Sequence, residues 1–260
     1  MWEDIFQIQK YQTGSNCIYA GWYSDIGMRE TQEDTCCVTF HHNVVLATVC
    51  DGMGGYECGK LASETTAKLL HEKFVQVSAE DSSFYTNSLD ELDAKVYFLK
   101  DESHKRLKAG TTIASVMLRN GEISWFSVGD SRIYIIRNDE ILQLTRDHNY
   151  REMLLDLLQN GSITVEQYEN EQAQHSALTS YIGVGGVNLY DISKSPLKLK
   201  PQDKILLVTD GFYRTVPIEN IPDFLKGNIS ECMESLLREI QFSEDENRDN
   251  TTFILLKYEE

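Results

Sequence analysis

The sequence predicts an α+β protein, a four-layer α-β-β-α sandwich in which two central antiparallel sheets are flanked by helices. Three observations carry this. Runs rich in β-branched and aromatic residues recur with tight turns between them, as antiparallel strands require. The apolar period changes to helical spacing in separate stretches, so helices come in pairs. No Pro-rich or Gly/Ser-rich linker and no internal repeat divides the 260 residues, so one domain, 1–260, is expected.

Strands are expected at 16–24 and 35–40, bracketing a polar turn from Ser24 to Asp34, and at 44–50, where Val44 to Cys50 is mostly apolar and largely β-branched. Residues 57–78 carry Leu61, Ala62, Leu69, Leu70 and Phe74 at helical spacing, and 88–108 reads as a second helix. Gly110-Thr111-Thr112 opens an antiparallel meander with strands at 112–118, 122–128 and 132–137, turned at Asn120-Gly121 and Gly129-Asp130-Ser131. A short strand at 140–144 follows Asn138-Asp139. An amphipathic helix is expected at 149–159, closed by Asn160-Gly161, and another from Thr164 to Glu171, capped at Ser162 or Thr164. Strands resume at 178–182, 187–193 and 204–209, two helices occupy 218–240, and the final strand ends at Tyr258.

Composition narrows the function classes. Hydrophobic content of 41% and charged content of 25% are ordinary for a soluble globular protein. With 24 basic against 41 acidic residues, net −17, there is no surface to neutralise a run of phosphates, which argues against nucleic acid. The six cysteines (17, 36, 37, 50, 58 and 232) lack zinc-type spacing and read as reduced thiols. The start at Met1 to Asp4 has no leader pattern and no apolar run reaches span length, so a cytoplasmic protein without membrane association is expected.

The pattern that carries chemistry is an acid at the end of an apolar strand, repeated. Asp51 follows 44–50 and enters Gly52-Met53-Gly54-Gly55; Asp210 follows 205–209; Asp130 follows 123–128 and Gly129; Asp249 stands just before Thr251 to Leu256. An Asp-Gly turn alone is common. A carboxylate at a buried strand end is costly unless paired, however, and four of them suit a shared cation. Oxygen-only ligation, with neither a Cys pair nor a His pair at ligand spacing, points to Mg²⁺ or Mn²⁺.

In this order the motifs resemble those of the metal-dependent Ser/Thr protein phosphatases, the PPM or type 2C family, in its bacterial form. They are Asp25 to Asp34 with Arg29 and Glu33, Asp51 to Gly55, Gly110-Thr111-Thr112, Gly129 to Arg132, Leu144 to His148, Thr209-Asp210-Gly211 and Asp249-Asn250, running from about residue 18 to the C-terminus. The resemblance implies two Mn²⁺ or Mg²⁺ ions held by Asp51, the Gly52 carbonyl, Asp210 and Asp249, with Glu33 and Asp34 as direct or water-mediated ligands. It implies a third ion on Asp130 and Asp210. Arg29 matches the phosphate-binding arginine, so Arg29, Asp51 and Asp210 are the catalytic candidates.

The implied reaction is direct attack of a metal-bridging water on phosphoserine or phosphothreonine in proteins. The chemistry agrees, since paired metal ions acidify a water and stabilise phosphoryl charge, and a planar guanidinium suits a phosphate. No nucleophile loop of the Cys-x5-Arg kind is read. Met53 stands where eukaryotic members often carry His, so a histidine acid at that point is excluded. Implied partners are phosphorylated proteins and a cognate Ser/Thr kinase, with the chain a monomer; 149–177 matches the family's flap. His148 is read as holding a loop, and Ser131 and Arg132 as shaping the turn around Asp130. Two readings compete: a stress- or sporulation-regulator phosphatase, against which Arg29 with Glu33-Asp34 speaks, and an inactive metal-binding signalling module, against which the full acidic set speaks.

Overall fold

A computed structural model of the chain describes residues 6–13, 16–55, 57–76 and 83–259. In chain order its elements are β1 (Gln7–Thr13), β2 (Asn16–Asp25), β3 (Thr35–His41), β4 (Val44–Cys50), β5 (Gly52–Met53), α1 (Glu57–Gln76), α2 (Phe84–Tyr97), β6 (Gly110–Thr111), β7 (Ile113–Arg119), β8 (Glu122–Val128), β9 (Arg132–Arg137) and β10 (Glu140–Gln143). There follow α3 (Tyr150–Gln159), α4 (Val165–Asn170), β11 (Asp191–Ile192), β12 (Leu197–Lys198), β13 (Lys204–Val208), α5 (Asp210–Thr215), α6 (Ile221–Phe224), α7 (Ile229–Gln241) and β14 (Thr251–Glu259).

One sheet runs β1-β2-β14-β13-β9-β10 and the other β11-β8-β7-β4-β3, with β12 also on β8 and β5-β6 as a separate pair. Alternate residues of a strand face opposite layers, and here both faces are apolar. In β4, Val45, Ala47 and Val49 meet Ile133, Ile205, Leu207 and Ile254 between the sheets. Val44, Leu46 and Cys50 instead join Leu70, Phe74, Leu89 and Leu92 under α1 and α2. On the other sheet Leu206, Val208, Phe253 and Leu255 pack with Phe212, Leu236, Leu237 and Ile240 of α5 and α7. The result is helix, sheet, sheet, helix, as the sequence predicts. Each fully buried Leu, Ile or Phe contributes roughly 1.5–3 kcal/mol, so these three clusters fix the strand ends rigidly.

Several elements differ from expectation. The second helix covers Phe84–Tyr97, not 88–108. Past it, the Asp101 carboxylate accepts from Ser103 Oγ and Lys105 N–H, a local turn that competes with helix. The strand expected at 178–182 reduces to isolated bridges, Asn149 with Leu178 and Thr111 with Ile182, and 187–193 to Asp191–Ile192. In the loop between, the Asp93 carboxylate of α2 accepts the N–H groups of Gly183, Gly185 and Gly186, so those donors never reach a sheet. β1 and α5 were not anticipated. In the 149–177 stretch Thr164, not Ser162, caps α4, in a capping box with Gln167. Residues 77–78 of the first expected helix and the Met1 to Asp4 start lie outside the described residues.

One polar thread crosses between helix and sheet. His71 of α1 bonds Thr39 Oγ1 at 2.7 Å and Thr48 Oγ1 at 3.1 Å, and Thr48 bonds Ser115 Oγ at 2.8 Å. Burial pushes the imidazole down to about 4. Because its ordinary value is higher, near 6.5, the folded state resists protonation. This contribution is fully present above about pH 6.5 and is lost as pH falls toward 4, by about 3 kcal/mol in all. Buried acids with raised values act in the opposite sense, so a comparison with a variant is needed. In urea unfolding, the stability advantage of wild type over His71→Gln should shrink by about 2 kcal/mol between pH 7 and pH 4.5; a constant difference would refute the assignment.

Candidate active site

Asp51, at the end of β4, is held by its own backbone. Its N–H donates to Thr112 Oγ1 at 3.0 Å, and its carbonyl accepts from Thr112 N–H and Thr111 Oγ1, both at 2.8 Å. Thr111 in turn exchanges backbone hydrogen bonds with Ile182. Gly52 N–H donates to the Glu33 carbonyl at 3.2 Å. No side chain fits at Gly52, where a Cβ would lie 2.1 Å from the Gly59 carbonyl oxygen. Only glycine lets the strand end and the first turn of α1 approach this closely.

Loop 25–34 is tied to the turn before β14. The buried Asn250 carboxamide accepts from Glu33 N–H at 2.8 Å and donates to the carbonyls of Ile26 (2.8 Å) and Thr31 (3.0 Å). Asp25 accepts from Gly27 N–H and from Arg248 Nη2. This carries Arg29, 58% exposed, to the Asp249 carboxylate at 2.7 Å.

Asp210 begins α5, and Arg214 one turn later bonds its Oδ2 at 2.7 Å. Asp130 lies in the β8–β9 turn. That turn is framed by Ser131 Oγ on Thr112 Oγ1 (2.6 Å), by Arg132 paired with Asp147, and by His148, whose Nδ1 accepts from Gly129 N–H at 3.1 Å. The Arg132 guanidinium also stacks 3.6 Å from the centre of the Tyr213 ring. His148, Ser131 and Arg132 therefore shape the turn, as read from the sequence.

Arg29, Glu33, Asp51, Gly52, Asp210 and Asp249 line one open cleft of about 550 Å³. Asp34 and Asp130 sit behind it, 6% and 5% exposed. Burial, then Asp34, Asp210 and Asp130, holds the Asp51 carboxyl well above the usual carboxylate range. Burial pushes Asp34 and Asp130 up to about 7, with Asp210 adding to both and Thr209 Oγ1 relieving Asp34. Asp210 is raised by burial and by Asp249, against Arg214. Burial also raises Glu33, whose Oε1 is enclosed without a hydrogen-bond partner.

Among the described residues no three His, Cys, Asp or Glu side chains already form a ligand set; Asp249 and Asp210 are turned to Arg29 and Arg214. The donors nevertheless fit hard divalent cations. They are oxygens only, they are mutually repelling, and the Glu33 oxygen lacks a partner.

Two features escaped the sequence reading. Arg214 was missed because 210–215 was not read as helix; in a helix its i+4 spacing from Asp210 is an ion-pair signal. A Cys-x5-Arg spacing does exist, Cys232 to Arg238, but it lies on α7, not a loop. Cys232 is fully buried and burial raises its thiol, so it is no nucleophile.

The sequence model of the family described as Protein phosphatase 2C matches residues 27–152. The serine/threonine phosphatase stp of Listeria welshimeri is 26% identical over 220 residues, covering 83% of this chain and 85% of that protein. Protein phosphatase PhpP of Streptococcus pneumoniae is 26% identical over 224 residues, 83% of this chain and 88% of its own. The solved serine/threonine phosphatase of S. agalactiae superposes with a TM-score of 0.78 at 25% identity, covering 92% of this chain and 98% of that one.

Asn250→Ala would leave the Glu33 N–H and the carbonyls of Ile26 and Thr31 without their partner. The variant should lose about 3 kcal/mol in denaturant unfolding. A loss under about 1 kcal/mol would show that water replaces the carboxamide and that loop 25–34 is held elsewhere.

Proposed function

We propose, on the premise that this chain belongs to the metal-dependent, type 2C family of Ser/Thr protein phosphatases, that it removes phosphate from phosphoserine and phosphothreonine in proteins at the cleft lined by Asp51, Asp210 and Asp249. The observation that supports the site most is the crowding of Glu33, Asp34, Asp51, Asp130 and Asp210. All five are held above their ordinary ionisation range, with Asp249 beside them. Such crowding has no use as structure and suits hard cations.

In this reading Asp51, the Gly52 carbonyl, Asp210 and Asp249 hold two Mn²⁺ or Mg²⁺ ions, with Glu33 and Asp34 supporting them directly or through water. Asp130 and Asp210 are the candidates for a third ion. When bound, the cations supply an acidified water for attack at phosphorus and positive charge beside the phosphoryl oxygens. The chain's own residues do the rest. The Thr111-Thr112 clamp and the Gly52 contact fix the backbone at Asp51, so that ligand is in place before substrate arrives, while Asp249 must turn from Arg29. Arg29 offers a planar fork of donors at the mouth of the cleft and exchanges Asp249 for the incoming phosphate. Met53 lines the cleft and no histidine does among the described residues, so the departing serine oxygen does not take its proton from a histidine there.

We take residues 1–260 as a single domain, with 149–177 as the flap that meets the substrate protein. The partners are phosphorylated proteins and the kinase that modifies them, and the chain acts as a monomer in the cytoplasm. The six free thiols suit a reducing compartment, and among the described residues no helix is long and apolar enough to cross a membrane.

Asp210→Asn should lower turnover of a phosphothreonine peptide by about a thousandfold or more at saturating Mn²⁺, without unfolding. Undiminished turnover would remove Asp210 from the site, and a wild type that is itself inactive would favour the inactive signalling module. Arg29→Ala should raise KM for the same peptide by about tenfold or more while calorimetric Mn²⁺ affinity barely moves. Collapse of metal binding in that variant would make Arg29 a structural partner of Asp249 instead.

A further inference from the structure

Among the described residues, Arg214 and Arg29 are the arginines whose ion-pair partner is itself one of the clustered acids, and Arg214 is the one paired with Asp210. Of the two arginines that act favourably on Asp130, Arg132 is committed to Asp147 by three hydrogen bonds and stacked on Tyr213. Arg214 is bonded to Asp210 Oδ2 at 2.7 Å, and its charge acts on Asp210, Asp130 and Asp249 together. The position is imposed by the fold. Arg214 follows Asp210 by four residues on α5, and α5 is anchored by Phe212, fully buried against Phe253 with ring centres 5.2 Å apart. The guanidinium therefore returns over Asp210 by helix geometry.

We propose that Arg214 is this chain's built-in cation for the Asp130–Asp210 pair, and that it keeps a third divalent ion from binding there. The inference rests on the divalent-cation reading of the same cleft and narrows it. A third ion on Asp130 and Asp210 would need the Asp210 oxygen that Arg214 already engages. It would also stand beside the positive charge of Arg214, which reaches the 14%-exposed Asp210 carboxylate from a side chain that is itself 47% exposed, so the repulsion is only partly screened. The two ions proposed for Asp51, the Gly52 carbonyl, Asp210 and Asp249 can draw on the Asp210 Oδ1 that Arg214 leaves free, so they are compatible with Arg214. The donor set thus fits two cations and disfavours the third.

The test counts ions directly. Mn²⁺ is titrated into wild type, Arg214→Gln, Arg214→Lys and the double variant Arg214→Gln/Asp130→Asn, with stoichiometry read by calorimetry and by metal analysis after gel filtration. The expected result is two equivalents in wild type and in Arg214→Lys, which keeps the charge. Arg214→Gln should take a third equivalent, at least tenfold tighter than any third binding to wild type, and the double variant should lose it again. A third equivalent in wild type as tight as in Arg214→Gln overturns the proposal, and so does an unchanged count in Arg214→Gln. Wild type that binds no Mn²⁺ would instead overturn the divalent-cation reading on which the proposal rests. Circular dichroism of each variant confirms that the counts come from folded protein.

Discussion

Carboxylates that repel one another are held together here by the fold, and the rest of the structure follows from that constraint. Two unit charges about 4 Å apart at an effective dielectric near 20 interact by about 4 kcal/mol, whereas an exposed ion pair such as Arg29–Asp249 returns at most about 1 kcal/mol. The facing arginines therefore cannot balance the cluster. The enforcement comes from elsewhere: the threonine clamp on Asp51, the glycine contact between β4 and α1, and the Asn250 carboxamide under loop 25–34. Each fixes backbone, so the strand ends that carry Glu33, Asp34 and Asp51 cannot move apart.

Strand register brings the acids to one end. Thr35 pairs with Cys50, which leaves Asp34 and Asp51 as the next residues of neighbouring strands. Thr251 pairs with Asp25, which sets Asp249 beside loop 25–34. Thr209 N–H donates to the Thr252 carbonyl, so Asp210 emerges from β13 at the same edge. Because side chains alternate with a period of two, a one-residue slip in any of these ladders would move a buried face outward along with the acid. The three hydrophobic clusters thus protect the site's geometry as well as the layers.

What could be read from the sequence follows the same logic. β4, β13 and β14 are apolar on both faces and were legible as runs, and so were the lone acids at their ends. The strands expected at 178–193 failed because Asp93, ninety residues away, takes the glycine N–H groups of that loop, a tertiary contact that no local pattern contains. The second helix stopped early because Asp101 folds its own turn. β1 is an edge strand with polar side chains, and short α5 has too few residues to show a period. That last gap hid Arg214, although the arginine and its acid were both in plain view.

The sheet order carries a consequence for how such a chain is made. β14 is the last strand in sequence, yet it lies inside its sheet, between β2 and β13. A nascent chain emerging from the ribosome can pair β3 with β4 and β7 with β8 as hairpins, and β4 with β7, before residues 251–259 are made. The first sheet stays split until residues 251–259 arrive to close contacts with residues more than two hundred positions earlier. Until that moment Asn250 and Asp249 cannot meet loop 25–34, and Asp249 stays apart from Asp34 and Asp51, which the β3–β4 pairing has already set side by side. Pairing of β14 is therefore also the step that completes the electrostatic stress, because it brings Asp249 and, through β13, Asp210 to the acids already placed by β3 and β4.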